Sequence, residues 1–508
     1  MNDEEYLKSL GYRQQLLREM GGFSNFAVSF SIISILTGAV LLYGYGLKFA
    51  GPIVNSVGWP IVSLFTLAVA ASMAEIASAY PTAGGLYYWS LKLGGRGWGW
   101  LTAWLNMIGQ VTITGGINIA AAIYLVGAAT RIFGLSGDYL TNWYFQLAVM
   151  IAILIPQVGI NVYGIRLTAR LSDVSVWWHI AGVLLITIAL TAFGTHHNSG
   201  AFLFSYAPAV NAYDASSTLT VSELSTPSPL FRIFPALADL YRAAPAALMF
   251  VLALLQAQWT YTGYDASAHI AEETRMARKN SAWGIFLSVA VSAVVGYAML
   301  MVLTWCIPDG DVAKTAADAY PVLYIIDRNL TPFLANLIAV IIGGAMWLCG
   351  LASVTSMGRM WYAFARDGAM PGSRMLSRVS ANGTPLNAIV VTSILSVLVC
   401  VYAAAFFVVT SISTITLYLA YVIPIALNLR NRLPRESAVW SLGRFGPAIN
   451  VIAILWCAFI VVIFVLPPNE LVLWTMIGVG VALAVYWTTT RAAGGSRSAP
   501  HPPPGSTP

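Results

Sequence analysis

Trp259-Thr260-Tyr261-Thr262-Gly263-Tyr264-Asp265 lies inside an apolar segment running from about 246 to 270. That segment is long enough to cross a bilayer. Its centre nevertheless holds a glycine and a carboxylate, both poor components of an unbroken helix in lipid. A second apolar segment, 24–50, carries a matching defect at Leu36-Thr37-Gly38. A membrane helix that breaks at mid-bilayer exposes free N–H groups where one half starts and free C=O groups where the other half ends. The first attract anions and the second attract ammonium groups, so two adjacent breaks form a pocket for an amine or a zwitterion without any charged side chain.

The rest of the chain is membrane material. Of 508 residues, 58% are hydrophobic and only 9% charged, with mean hydropathy +0.74. A soluble chain carries roughly a quarter charged residues, so the composition requires a polytopic membrane protein whose first partner is the lipid bilayer. The net charge of +6 comes from basic residues scattered through short loops rather than from a patch suited to nucleic acid. Twelve apolar spans are expected, near 24–50, 56–80, 98–128, 144–164, 175–194, 246–271, 281–306, 332–362, 386–407, 409–429, 447–466 and 471–490. With both termini inside, 20 of the 26 Lys and Arg residues fall on inner segments and 6 on outer ones. The positive-inside rule therefore puts both termini in the cytoplasm.

The predicted layout has six parts. Residues 1–22 are an inner amphipathic segment, 23–194 hold spans one to five, and 195–242 form a Ser-, Thr- and Pro-rich outer loop. Spans six to ten occupy 243–430, spans eleven and twelve 431–490, and 491–508 is a disordered tail. Each five-span set opens with a broken helix. An odd count of five forces the second set to be inverted relative to the first, which is the arrangement of secondary transporters. Two further loops, 80–85 and 318–330, then hold equivalent places on opposite faces.

In the sixth span, the Trp259, Thr260 and Tyr261 carbonyls are the expected ammonium acceptors, and Gly263 supplies the permissive backbone. Trp259, Tyr261 and Tyr264 offer aromatic faces that attract cations. Asp265 is a costly charge at a depth where charge marks function. Gln258 precedes the break. In the first span, Ser34 and Thr37 can satisfy freed backbone groups, and amides near Gly38 can meet a carboxylate. Gln110 shares a face of the third span with Asn106 and Asn118 and is expected to reach the substrate. Glu272, Glu273, Arg359 and Arg366 cluster at inner helix ends, where they form either a ring of surface ion pairs or a gate. The four cysteines have neither metal nor redox spacing and read as packing residues. No Gly-Lys-Ser/Thr phosphate loop appears, nor any clustered acid, base or metal constellation, so neither ATP drive, a cofactor nor an enzyme is indicated.

These stretches carry a resemblance. Residues 23–35, Ala74-Glu75-Ile76 with 85–89, 261–265 with Glu272-Glu273-Thr274, and 356–371 resemble the amino acid–polyamine–organocation superfamily, and within it the amino acid/choline transporter family with its 4-aminobutyrate permeases. The resemblance implies an all-α fold of twelve transmembrane helices in a five-plus-five inverted repeat, with helices one and six broken. It implies a plasma-membrane permease that imports a small amino acid or amine by alternating access. Where many relatives have a first glycine in the span-one break, this chain has Leu36, which shifts the expectation toward amines or solutes with a distant carboxylate. His179 matches the place where proton-coupled or ion-independent relatives often carry a lysine. It is the candidate proton carrier, and the span-eight hydroxyls Ser353, Thr355 and Ser356 keep a sodium site open. A non-transporting nutrient sensor and an amine exchanger are the alternative readings.

Overall fold

The computed structural model describes residues 2–209, 229–243, 245–402, 406–431, 433, 439–467 and 469–492. Most of the expected disordered tail and the middle of the outer loop lie outside them. Among the described residues the secondary structure is helical, apart from one isolated bridge between Met20 and Thr274. Ten helices among the described residues are long and apolar enough to span a membrane. Two of the twelve expected spans are not counted among those ten. The ninth is a shorter apolar helix, Leu386–Val401, and the sixth is divided into short pieces.

The elements that position the site are as follows. A short helix α1 (Asp3–Ser9) is closed by a capping box, in which Asn2 and Glu5 bond each other's backbone amides. The first span is α2 (Gly22–Ile33) followed by α3 (Ile35–Leu41), and α4 (Tyr43–Ala50) continues it. Then come α5 (Trp59–Ala79), α6 (Leu86–Gly94), α7 (Arg96–Phe133), α8 (Trp143–Tyr163) and α9 (Ile165–Phe193). The sixth span is α10 (Pro245–Ala253), α11 (Leu255–Thr260) and α12 (Ala266–His269). It is followed by α13 (Ala277–Trp305), α14 (Val312–Ala317), α15 (Pro321–Asn329), α16 (Pro332–Arg366), α17 (Leu386–Tyr402), α18 (Phe406–Asn431), α19 (Gly446–Ile463) and α20 (Glu470–Ala492).

Burial divides these helices by depth. The best spanning windows of α7 and of the first span are 89% and 83% buried, whereas that of the last span is 6% buried. With so many polar side chains among the buried residues, Ser, Thr, Asn and Gln tie the inner helices together by hydrogen bonds, as membrane interiors require. The four cysteines are buried and unpaired.

The break in the first span falls at Ser34, not at Leu36-Thr37-Gly38. Ser34 has φ 29° and ψ 87°, outside the helical region, while Leu36, Thr37 and Gly38 lie in the first turns of α3. The amides of Thr37 and Gly38 both turn back onto the Ser34 carbonyl, at 2.8 and 2.9 Å. Ile35 and Leu36 are thereby left as the first-turn amides without an intrahelical acceptor. In the sixth span the break falls at 261–265, as expected, with Gly263 at φ 88°.

Candidate functional site

The two breaks touch. A Cβ on Gly38 would lie 2.5 Å from Thr260 Oγ1 and 2.8 Å from Thr260 Cα, so only glycine lets α3 approach α11 this closely. Gly263 meets Ile32 in the same manner from the other side. Between them is a cavity of about 10 Å³ lined by Ile32, Ile33, Thr37, Gly38, Ile113, Ile117, Trp259, Thr260 and Thr262. That is close to the space a single water needs. Its polar lining is hydroxyl and backbone, and its walls are isoleucine and tryptophan; no charged side chain lines it.

The expected acceptors divide. The Trp259 carbonyl takes the Thr262 amide (3.1 Å) and hydroxyl, and the Tyr261 carbonyl takes Tyr418 Oη at 3.2 Å. Of the expected site residues, Thr37, Gly38, Trp259 and Thr260 line the cavity. The others face elsewhere. Leu36 packs toward Gly182 of α9. Tyr261 donates to or accepts from Ser63 at 2.6 Å and packs on Trp59. Tyr264 lies against Tyr421, with ring centroids 5.0 Å apart. Gln258 is fully buried, faces Tyr418 together with Thr66 and Tyr264, and has no partner within bonding geometry for either amide atom. The sequence reading missed the isoleucine wall. Ile113 and Ile117 are four residues apart and so share one face of α7, but nothing in an apolar helix says which face a pocket uses.

Asp265 does not line the cavity. It is wholly buried and accepts four hydrogen bonds. Asn106 Nδ2, Gln110 Nε2 and His269 Nε2 each lie 3.1 Å from Oδ2, and Tyr421 Oη lies 2.8 Å from Oδ1. Gln110 therefore reaches a protein carboxylate, and Tyr421 completes the same cage. His269 also went unnoticed in the sequence, although Asp-x-x-x-His puts both groups on one helical face. Its other nitrogen, Nδ1, lies 3.2 Å from the carbonyl of Ala83 in the 80–85 loop.

His179 meets the first-span break directly. Nε2 is 2.7 Å from Ser34 Oγ, which is 2.6 Å from Thr37 Oγ1, and Nδ1 is 2.7 Å from the Ser175 carbonyl. The span-eight hydroxyls do not join this group. Ser353 bonds Thr114, Thr355 bonds Asn161, and Ser356 has no partner. The α16 residue at the break is instead Cys349, whose Sγ lies 3.4 Å from the Ile32 carbonyl. Ser353 and Ser356 share the face of Cys349 but lie about one and two turns further along α16, and Thr355 faces elsewhere.

Below the site, the helix ends are closed by ion pairs. Glu273 bonds Arg359 at 3.0 and 3.3 Å, both side chains fully buried, and Glu272 grips Arg366 with both oxygens at 2.8 and 3.0 Å. The expectation of weak, exposed pairs fails here: these are desolvated and bidentate, the strong geometry. The chain preceding α2 lies across them. Gln14 donates to the Glu272 carbonyl (2.7 Å), Arg18 to the carbonyls of Ala271 and Thr274, and Tyr12 to Asp367 (2.7 Å). Met20 is stapled to both sides of Thr274, accepting from the Arg275 amide and donating to the Glu273 carbonyl at 2.9 Å each.

Known proteins share this organisation in sequence. Residues 21–488 match the family model described as amino acid permease. The chain is 34% identical to the amino-acid permease BAT1 homolog of Oryza sativa subsp. japonica, covering 91% of this chain and 87% of the relative. It is 33% identical to the amino-acid permease BAT1 of Arabidopsis thaliana, covering 91% and 88%. It is 26% identical to the thiamine transporter thi9 of Schizosaccharomyces pombe, covering 92% and 80%. A match that runs from the start of the first span into the last helix takes in every span. The chain belongs to the amino acid permease family of the amino acid–polyamine–organocation superfamily, and it is an amino acid transporter rather than an enzyme.

Proposed function

We propose that the protein imports a small amino acid or amine across the plasma membrane by alternating access, linked to proton movement. The observation that carries this reading is the contact of two broken helices around a cavity lined by backbone, hydroxyls and apolar side chains. Backbone dipoles hold a zwitterion without a fixed counter-charge, so the solute can leave as readily as it enters. The free amides at Ile35 and Leu36 suit a carboxylate. Of the three expected carbonyls, that of Thr260 at the end of α11 is left to meet an ammonium group, since those of Trp259 and Tyr261 are taken. A cavity of water size means that the site must widen to admit a solute, and the helix halves around the breaks are the parts able to swing.

The positive-inside count supports cytoplasmic termini. On that orientation the Glu272–Arg366 and Glu273–Arg359 pairs and the segment 10–20 form the inner gate, and the gate is shut. Spans one to five and six to ten act as two inverted halves. His179, donating through Nδ1 to a carbonyl and accepting at Nε2 from Ser34, serves as a neutral clamp on the first break.

The relatives' printed names, amino-acid permease and thiamine transporter, support a solute bearing a cationic nitrogen. Uptake of labelled amino acids, 4-aminobutyrate, choline and thiamine into proteoliposomes tests the reading. Saturable flux of at least one is expected. Binding without flux marks a sensor, and neither binding nor flux overturns the proposal.

A further inference from the structure

Both ring nitrogens of His269 face atoms that can only accept. Nδ1 points at the Ala83 carbonyl (3.2 Å) and Nε2 at Asp265 Oδ2 (3.1 Å). A neutral imidazole has one N–H, so one of these contacts would set two lone pairs against each other. Moving the proton to Asp265 does not solve this. Oδ2 already receives Asn106 and Gln110, and Oδ1 receives Tyr421. The carboxylate is saturated with donors in its ionised form, which leaves the extra proton on the ring. His179 differs: its Nε2 faces a hydroxyl that can donate, so the neutral ring satisfies both contacts.

From this geometry we infer that Asp265 and His269 form the site that carries the coupling proton, and that the site is loaded while the inner gate is shut. This rests on the carrier reading above and names the ion-binding site within it.

The surroundings fit a site that must both hold and release a proton. The pair is fully buried, and the side chains packed against it bring no uncompensated charge. From α18 come the Tyr421 and Tyr418 hydroxyls, and from α7 the amides of Asn106 and Gln110. Glu272 and Glu273, just beyond α12, are neutralised by Arg366 and Arg359 of α16. The facing residues of α2, Asn25 and Ser29, are uncharged, and Arg278 at the start of α13 turns to Tyr6 and the Ser78 carbonyl. The ring's remaining partner sits in a movable place. Ala83 belongs to the loop after α5, and its amide bonds Glu272 Oε1 at 3.0 Å, so the loop is tied to the gate ion pair. When Glu272 and Arg366 part, the Ala83 carbonyl loses its tether. The second acceptor that holds the imidazolium goes with it, and the proton on Nδ1 is freed toward the inner side. Opening the gate and discharging the proton thus become one event.

The test is accumulation of a transported solute in proteoliposomes under an imposed pH gradient, acid outside. For one coupled proton the accumulation ratio rises by up to about tenfold per pH unit. The expected result is that wild type follows the gradient, H269Q loses the dependence, and H179Q keeps it even where its rate falls. An H269Q protein as gradient-driven as wild type overturns the inference. So does wild-type flux indifferent to pH, which removes the proton link and leaves the alternating-access carrier standing. No saturable flux in wild type overturns both. Should H269Q not fold, ring ¹⁵N NMR of histidine-labelled wild type decides. One doubly protonated ring at neutral pH supports the site; five neutral rings sink it.

Discussion

Gly38 and Thr260 stand so close that a single methyl on Gly38 would overlap both the Thr260 hydroxyl and its Cα. The overlap involves backbone, which cannot rotate aside. Gly38→Ala therefore has to push α3 from α11, at an overpacking cost of about 1–3 kcal/mol. The two breaks separate and the cavity loses its shape. Initial uptake by G38A is expected to fall by about tenfold or more, with expression largely intact. Wild-type rates in G38A would show that the breaks need not meet.

Arg359 and Glu273 are both fully buried. Neutralising one strands the other without a partner, at about 3–5 kcal/mol. R359Q and E273Q are each expected to melt well below wild type, and the double variant R359Q/E273Q to recover much of the loss, because no charge is left unpaired. Additive losses in the double variant would mean that the pair does not act as a unit.

Gln258 buries an amide with neither atom bonded. An unsatisfied buried amide costs about 1–3 kcal/mol. Gln258→Met should therefore raise the melting temperature of the solute-free protein. If Gln258 meets the solute when the site widens, as its place before the break predicts, the same variant raises the uptake KM. A lower melting temperature would reveal a partner such as ordered water.

Glu19 lies outside the spans, and its carboxyl is held below the usual value, first by the hydrogen bond from Arg166 at 2.8 Å and then by the charges of Arg166 and Arg275. A depressed folded value means that the contact contributes above the unfolded carboxylate pKa and is lost as pH falls through the folded one. A spin label at Arg13→Cys is expected to gain mobility over that acid range, and in high salt at neutral pH, because the pair is exposed. E19Q should remove the pH response. Unchanged label mobility in acid would assign the anchoring of this segment to its backbone bonds alone.

How much was readable in the sequence depended on whether the signal was local. The sixth-span break announces itself, because Gly263 and Asp265 are conspicuous in an apolar run. The first-span break was placed two residues late. Ser34, not a glycine, takes the positive φ, and what holds it there is His179, 145 residues away. No pattern around Ser34 records that contact. Asp265 stands out in the sequence as a charge within an apolar run, but its cage is drawn from α7, α12 and α18, and only the fold brings these together. The span-eight hydroxyls illustrate the opposite failure. Ser353, Thr355 and Ser356 share a short stretch of sequence, yet the helical turn sends them to separate neighbours. Glu272 and Glu273 were seen as one cluster, and each proved to have its own arginine.

The Met20 staple has a mechanical corollary. By bonding to the backbone on both sides of Thr274, it yokes the lower half of the first span to the lower half of the sixth. Asn25 and Ser29 of α2 add further rivets to Thr274, Ser267 and Tyr264. The two half-helices are thus one lever with a single pivot at the paired breaks. On the alternating-access reading proposed above, a partly opened vestibule, with one half-helix tilted and the other left behind, would have to tear these rivets, so an inner door is expected to have two positions and no ajar one.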